Sequence, residues 1–314
     1  MNDFRLPKHE KRVEPPCALQ SESQQGRRST MNIVFGLILP LAILSVSARP
    51  AAAQTNVDAG DVPSAAAEEQ DESSVPDPFS DKWKFIVGGG VINGARYPGS
   101  RYNFTRGLPL ISVSYGRYFF GAVPGSGAPA GAGAYLLHTE HWQIGFDIGG
   151  DARKPRRSTD DPILRGWGDI PGAVRAGMFA SYNINWLWVR GSISDAVNHH
   201  EGVLASFAVE AKYHATQRLT LSIGPEITWA NTQYSQTFFG ISSAQSVIAG
   251  IAPYRAKSGI NTVSGSAGAT YMLTDHWSLG AHASYGKLQG DAANSPVTTD
   301  KTQRVYGAFI MYRF

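Results

Sequence analysis

Cysteine is almost absent from this chain. Of its 314 residues only Cys17 carries a thiol, and it lies upstream of every segment with a folded pattern. The residues before it (EPP) lack the apolar and small types that a lipoprotein site needs. We therefore expect a mature chain without a thiol, which excludes disulfides and a cysteine-based metal site.

Charged residues and long apolar runs are also scarce. Charged residues make up 17 % of the chain, and its formal net charge is +3. Basic residues are scattered and never form a stripe with interleaved aromatics, so the sequence indicates no nucleic-acid partner. No apolar run after residue 50 is long enough to cross a bilayer as a helix.

The chain is instead rich in glycine and aromatic residues. It contains 34 Gly, 7 Trp, 13 Tyr and 14 Phe, although its mean hydropathy is only −0.20. This combination favours alternating strands over transmembrane helices.

Residues 1–53 have the pattern of an N-terminal extension followed by a signal peptide. The apolar stretch 33–46 is too short for a typical transmembrane helix but suits a signal-peptide core, and three consecutive alanines supply a cleavage site. We predict cleavage after Ala53. Two start sites remain open, Met1 and Met31, and the second would leave the first thirty residues untranslated.

Residues 54–82 consist mostly of Ala, Asp, Glu, Ser and Pro, with Phe79 as their one aromatic residue. This composition predicts a disordered acidic linker. From Trp83 the pattern changes, and residues 83–314 are predicted to form the folded domain.

Alternation of apolar and polar residues is the main signal in this domain. In LTLSIGPEITW, residues 219–229, the odd positions are mainly apolar and the even positions are small or polar. The same alternation occurs in residues 142–148, 203–213 and 277–285. One face of such strands suits lipid and the other a hydrated lumen. The pattern predicts an all-β fold, a closed antiparallel transmembrane β-barrel.

A soluble β-sandwich, whose strands also alternate, is the competing interpretation. Three features oppose it. The polar face consists of small residues with a few charges, and aromatics such as Trp142, Trp229 and Tyr285 gather at strand ends as in membrane girdles. A signal peptide also precedes the domain.

The turns give the strand count. Short turns of similar sequence alternate with long loops, which places the turns on the periplasmic side and the loops outside. With a pair flanking residues 93–107 and a short pair around GAVPGSGAPAGAG, the total is twelve strands. The total is ten if that short pair does not cross the membrane. The short turns lie near residues 138–142, 182–186, 214–219 and 273–277, and the long loops near 151–170, 195–201 and 230–260.

Several charged residues share the inward parity, where they would either line a pore or pair and plug it. The candidates are Asp147, Arg175, Glu210, Lys212, Glu226 and Arg313. Loop 230–260 is long enough to fold over the barrel mouth as a gate, because it contains the apolar pieces FFGIS and VIAGIAP. Its large residues are Tyr234, Phe238, Phe239 and Tyr254.

The segment RVYGAFIMYRF at residues 304–314 alternates strictly. Its lipid-facing parity contains Tyr306, Ile310, Tyr312 and Phe314. Such a segment resembles the signal that the barrel-assembly machinery recognises by strand addition. We expect this strand to pair with the first one, which removes the last open edge of the sheet.

Patterns for catalysis and metal binding are weak. His282 and Ser284 have the spacing of an outer-membrane phospholipase pair, but their parity turns them into the lumen, away from a lipid substrate. His199 and His200 are adjacent, so on a strand they point in opposite directions and cannot chelate together. We predict no enzymatic activity, no cofactor and no metal site.

Four segments carry a family resemblance. Residues 164–170, 234–260 and 290–297, with the YRF at 312–314, resemble the MipA/OmpV family of outer-membrane proteins, the MltA-interacting proteins. The loop sequence FFGISSAQS is the most specific part, and the resemblance covers essentially all of residues 83–314. It implies a barrel in the outer membrane of a Gram-negative cell and brings no catalytic residues with it.

The resemblance also implies a role. The family's named member resembles a scaffold that brings a murein-lytic transglycosylase together with a peptidoglycan synthase. Other members resemble osmoregulated proteins or adhesins. We expect a scaffold of this kind, with a small channel for passive uptake or osmoregulated permeability as the alternative and an adhesin as a minor one. The expected partners are outer-membrane lipid and lipopolysaccharide, the barrel-assembly machinery and the two peptidoglycan enzymes.

We predict that deleting Phe314 lowers outer-membrane assembly without altering translocation, because the assembly signal loses its last aromatic residue. Heat-modifiable barrel in outer-membrane fractions measures assembly, and the amount of signal-cleaved chain measures translocation. A normal yield of heat-modifiable barrel from the shortened chain would contradict the prediction.

Overall fold

The computed structural model describes residues 82–121, 130–150, 155–198 and 201–314. The predicted signal peptide, almost all of the predicted acidic linker, and His199 with His200 lie outside these ranges. The expectations about them therefore stay predictions.

The described residues form twelve antiparallel strands in one closed barrel, which confirms the predicted fold and the larger of the two strand counts. Each strand pairs with its neighbours in sequence, and β1 pairs with β12 to complete the circle. The short pair around the Gly/Pro-rich segment is β3 and β4. The strands are β1 Lys84–Ala95, β2 Asn103–Tyr115, β3 Tyr118–Gly121, β4 Ala130–His138, β5 Trp142–Gly150, β6 Val174–Ile184, β7 Leu187–Ala196, β8 Val203–His214, β9 Leu219–Ala230, β10 Gly259–Met272, β11 Trp277–Leu288 and β12 Thr302–Arg313.

Exposure alternates along the strands as the sequence pattern predicted. In β9 every second side chain is exposed, including Leu221, Ile223 and Ile227, while the residues between them are partly buried. The outside of the barrel is therefore lined with large apolar side chains. A continuous apolar surface of this kind is unfavourable in water and fits the hydrocarbon of a bilayer.

Aromatic rings cluster at the end of the barrel that carries the short turns. The ring centroids of Trp83 and Tyr115 lie 4.8 Å apart, as do those of Trp142 and Tyr182. These pairs join neighbouring strands at the level where a girdle meets the interface of a membrane.

Closure depends on the pairing of β1 with β12, which was expected from the sequence and is confirmed. The register runs from Ile86 opposite Arg313 to Asn93 opposite Tyr306. The Phe314 amide extends it by donating to the carbonyl oxygen of Phe85 at 3.1 Å. An open edge here would leave N–H and C=O groups unpaired in lipid, at several kcal/mol each.

The long loops contain helices that the sequence analysis did not predict. The predicted loop at 230–260 contains two of them, α1 Thr232–Phe239 and α2 Ser243–Ala249, and a third, α3 Gly290–Asn294, follows β11. The Asn231 side chain accepts a hydrogen bond from the Tyr234 amide to start α1, and α2 begins with a capping box. In the described part of the chain no helix is long and apolar enough to cross a membrane.

Bulky rings occupy part of the lumen, where the sequence suggested mainly small residues. Phe119, Tyr135 and Phe179 form a buried aromatic cluster between β3, β4 and β6. Phe119 lies over Gly133 and Phe179 lies over Gly145. The glycines on the inward face thus leave the space that these rings occupy.

We predict that Gly145→Val destabilises the barrel. A Cβ at Gly145 would lie 2.6 Å from the Ala134 carbonyl oxygen and 2.7 Å from Cζ of Phe179, so the neighbours must move. Overpacking of this kind costs about 1–3 kcal/mol. Urea unfolding followed by aromatic fluorescence measures the loss.

The matched control is Gly265→Val, on the outer face of β10. A Cβ there meets nothing within 4 Å, and a β-branched residue suits a strand. Equal losses in the two variants would contradict the role given to the ring over Gly145.

Candidate functional site

The first candidate site lies on the lumen wall formed by β7, β8 and β9. Arg190 on β7 is placed between two carboxylates on the next strands: its Nη1 lies 3.6 Å from Oε2 of Glu210 and its Nη2 lies 3.6 Å from Oε2 of Glu226. Glu210 is 6 % exposed. The guanidinium therefore joins three strands through one side chain.

Two cations contact the Trp188 ring system in the same wall. The Cζ of Arg190 and the Nζ of Lys212 each lie 4.7 Å from a ring centroid of this tryptophan. Such contacts favour a cation electrostatically. Lys212 and Arg190 carry two formal positive charges and Glu210 and Glu226 carry two formal negative charges, so the formal charges of the group sum to zero.

A second set of charges lies closer to the long loops. Asp147 on β5 and Arg175 on β6 are each only 3 % exposed. The Nη2 of Arg175 donates to the carbonyl oxygens of Ser194 at 2.7 Å and Gly202 at 2.8 Å, and its Nε donates to the Ser194 hydroxyl at 3.0 Å. Arg175 thus ties β6 to β7 and to the loop after it.

Arg313 stands apart from the other predicted lumen charges. Its side chain is exposed at the turn end of the barrel, and its Nη2 donates to the Asp275 carbonyl oxygen at 3.2 Å. The structure therefore brings Glu210, Lys212 and Glu226 together and leaves Arg313 at the rim.

Sequence reasoning missed Arg190, the residue that organises this wall. A signal was present: Trp188, Arg190 and Ser192 share one parity in LWVRGSIS, so an arginine next to a tryptophan on the inward face could have been found. Its partners could not, because they depend on the register of three strands.

The second candidate site is the set of loops at the opposite end, which we call the loop cap: residues 96–102, 155–173, 231–258 and 289–301. Three of the four residues predicted as a gate, Tyr234, Phe238 and Phe239, are buried here, with Phe239 fully enclosed. They pack against residues from other loops and strand ends. That cluster includes Ile170, Ala230, Ala256, Leu288 and Ala292.

A second apolar cluster joins the remaining loops of the cap. It consists of Tyr97, Leu164, Trp167, Ile241 and Val297, with Tyr254 packed against it. Each of the four loops therefore contributes at least one residue to a shared core. The cap is a small folded layer and not a set of separate loops.

Polar groups fasten the same layer. The Nη1 of Arg156 donates to the Phe238 carbonyl oxygen at 3.0 Å, and the Ser295 hydroxyl donates to that of Phe239 at 2.6 Å. The phenol of Tyr254 donates to the Asp291 carbonyl oxygen at 2.9 Å. Opening the predicted gate would break these hydrogen bonds as well as the apolar packing, which is energetically unfavourable. Gating therefore stays a prediction.

Burial also changes the titration of two cap residues. Burial and the adjacent Asp161 carboxylate raise the pKa of the Tyr97 phenol to about 12, and its hydroxyl donates to Oδ2 of Asp161 at 3.2 Å. Burial lowers the pKa of Arg156 to about 10. Tyr97 stays neutral and Arg156 stays charged at physiological pH.

His282 and Ser284 lie on the lumen face of β11, as their parity predicted. Among the described residues the Nε2 of His282 has no hydrogen-bond partner. Within the same ranges no group of three or more His, Cys, Asp or Glu side chains could hold a metal ion.

Comparison with protein families identifies one match. A family model described as "MltA-interacting protein MipA" matches residues 87–314. A search of curated proteins finds no match.

Among solved structures, the chain resembles the NanC porin with a TM-score of 0.39 and 9 % identity over 73 % of this chain and 100 % of that one. It resembles the outer-membrane channel DcaP of Acinetobacter baumannii with a TM-score of 0.36 and 8 % identity, over 74 % of this chain and 96 % of that one. It resembles the translocator domain of the autotransporter NalP from Neisseria meningitidis with a TM-score of 0.36 and 10 % identity, over 74 % and 88 %. Similarities this distant carry no argument about function.

We predict that Arg190→Met lowers the free energy of unfolding by about 3 kcal/mol, because Glu210 stays buried after losing its salt-bridge partner. Part of the loss should return in the double variant Arg190→Met/Glu210→Gln, which removes the stranded charge. Urea unfolding in detergent measures both.

The control is Arg304→Met, an exposed arginine on β12, for which little change is expected. If Arg190→Met and the control behave alike, or if the Gln substitution adds a further loss, the assignment of Arg190 is wrong.

Proposed function

The chain belongs to the MipA family of MltA-interacting proteins, and from this premise we propose that it is an outer-membrane barrel that serves as a scaffold for peptidoglycan enzymes. The family match carries the proposal, since it spans residues 87–314 and so covers the barrel, its turns and the loop cap. The family name points to MltA, a lytic transglycosylase, as the first partner. A peptidoglycan synthase is the second.

The outer surface supports the membrane part of the proposal. Exposed apolar side chains face outwards along the strands, and aromatic pairs border them at the turn end. A closed barrel with this surface is stable in a bilayer because every backbone group finds a partner inside the sheet. The outer membrane of a Gram-negative cell is where such barrels are found.

The turn end supports the scaffold part. Three turns are built alike: Thr139, Thr216 and Thr274 each accept a hydrogen bond on their hydroxyl from the amide three residues later, at 2.9 to 3.0 Å. Threonine hydroxyls hold turns in this manner. These hydrogen bonds favour one conformation of each turn before any partner arrives, which would lower the entropy cost of binding.

The interior argues for a scaffold over a wide pore. Aromatic rings occupy part of the lumen beside β3–β6, and paired charges line its wall beside β7–β9. A passive channel remains the second candidate because the Glu226 side chain keeps 29 % of its surface exposed. Single-channel conductance in planar bilayers, before and after Arg190→Met, tests this candidate, and silence in both proteins would exclude it.

The scaffold proposal is tested by photo-cross-linking in intact envelopes. In the test variant a photoreactive residue replaces Trp186, which is 60 % exposed in the turn between β6 and β7. In the control variant it replaces Val247, which is 85 % exposed on α2 at the opposite end. We expect a lytic transglycosylase and a peptidoglycan synthase to be captured from position 186 and not from position 247. Capture of neither enzyme from a correctly assembled barrel would contradict the scaffold.

Deleting residues 54–82 separates the turns from the linker as the contact surface. If the same enzymes are captured at the same level without the linker, the turns suffice for binding. Loss of capture together with normal assembly would show that the linker is needed for the contact.

A further inference from the structure

A cavity of about 350 Å³ lies within the loop cap, where α1, the start of β10 and the segment 289–292 meet. It belongs neither to the turn surface nor to the charged lumen wall. Its walls include Ser235, Lys257, Asn261, Gln289 and Asp291. These side chains are polar, and a cavity of this size can accept a small ligand.

Asn261 is the unusual residue in this wall. It is 6 % exposed, and its Nδ2 has no hydrogen-bond partner among the described residues. The rest of the residue is held: Oδ1 accepts from the Thr262 hydroxyl at 3.0 Å, and the carbonyl oxygen accepts from the Gln289 amide at 2.9 Å. A buried amide donor without a partner is uncommon in folded proteins and calls for a physical reason.

The strand is irregular where this asparagine lies. The pairing of β10 with β9 shifts register between Ile260 and Thr262, so Asn261 is the extra residue of a bulge. Bulges re-aim a side chain, and they are frequent beside binding sites. A bulge at Asn261 is therefore consistent with a binding site in this wall of the cavity.

The charges around the cavity select the kind of ligand. Lys257 brings one positive charge and Asp291 one negative charge, and Oδ2 of Asp291 accepts from the Lys257 amide at 2.8 Å. The site is therefore neutral and contains both donors and acceptors. Hydroxyl groups match such a set because each one donates and accepts, whereas an anion would be repelled by the carboxylate.

We infer that this cavity binds a neutral sugar unit, with the Asn261 amide donating to one of its hydroxyl groups. The sugar has two sources, a free saccharide outside the cell or the saccharide of lipopolysaccharide in the same leaflet. Ile260, which borders the cavity, is half exposed on the outside of the barrel.

The test uses the whole mature protein folded in detergent and saturation-transfer NMR. The probes are the methyl glycosides of glucose, galactose and mannose, core-bearing lipopolysaccharide, and lipid A without sugar core. We expect saturable binding of a glycoside or of core-bearing lipopolysaccharide. Which of the two binds identifies the source, and binding of neither overturns the inference.

Asn261→Leu should weaken this binding at least tenfold, while Asn183→Leu, an asparagine at the turn end of β6, should leave it unchanged. Without ligand, Asn261→Leu should change stability little, because it removes a buried donor that has no partner but also the oxygen that accepts from the Thr262 hydroxyl. Heat-modifiable migration shows whether each variant is folded. Unchanged affinity in a folded Asn261→Leu protein overturns the assignment.

Two further variants keep the test decisive. Ser258→Trp places a large ring in the cavity from an exposed loop position and should abolish binding even if Asn261→Leu fails to fold. Lys257→Met should change affinity for a neutral sugar less than threefold. Binding of inorganic phosphate or of lipid A alone that is lost in Lys257→Met would show an anion site and overturn the sugar assignment.

Discussion

Backbone hydrogen bonding inside lipid is the constraint from which the rest of this structure follows. A bilayer offers no partner for a free N–H or C=O group, so each strand must pair on both edges. The pairing of β1 with β12 meets that condition for the described barrel. Closure then leaves each strand with one face towards lipid and one towards the lumen, and the two faces have different chemical requirements.

The inward-facing side chains are stabilised in two ways. Beside β3–β6, rings such as Phe119 and Phe179 lie over glycines and exclude water by packing. Beside β7–β9, Arg190 pairs with Glu210 and Glu226 and lies over Trp188. Paired charges in a region of low dielectric are strong only when each has its counterpart. The neutral balance of this group is consistent with a structural role and does not by itself indicate ion selectivity.

Much of the barrel could be predicted because its signal is local. A strand in a membrane alternates with period two, so the outward residues of β9 and the inward position of His282 follow from parity alone. The strand count followed from the turns, and the pairing of the last strand with the first followed from the need to close. These inferences require no knowledge of which inward side chains meet.

The candidate sites were harder to predict because they depend on register and on contacts between distant loops. Arg190 reaches Glu226 only because β7, β8 and β9 are aligned as they are, and a shift of one residue would turn every side chain to the other face. The caps of α1 and α2 were readable at Asn231 and Ser242. The bulge that buries Asn261 has no equivalent signal, since alternation continues on both sides of it.

The loop cap has a consequence for the seam between the first and last strands. The Tyr97 hydroxyl contacts the Val297 carbonyl oxygen at 3.5 Å, and the Thr299 amide donates to the Gly99 carbonyl oxygen at 2.8 Å, so residues about two hundred positions apart meet in one layer. Both contacts lie directly beyond the pairing of β1 with β12, so the cap fastens the same seam that closes the barrel. A barrel whose seam opened would lose these contacts together with the backbone pairing.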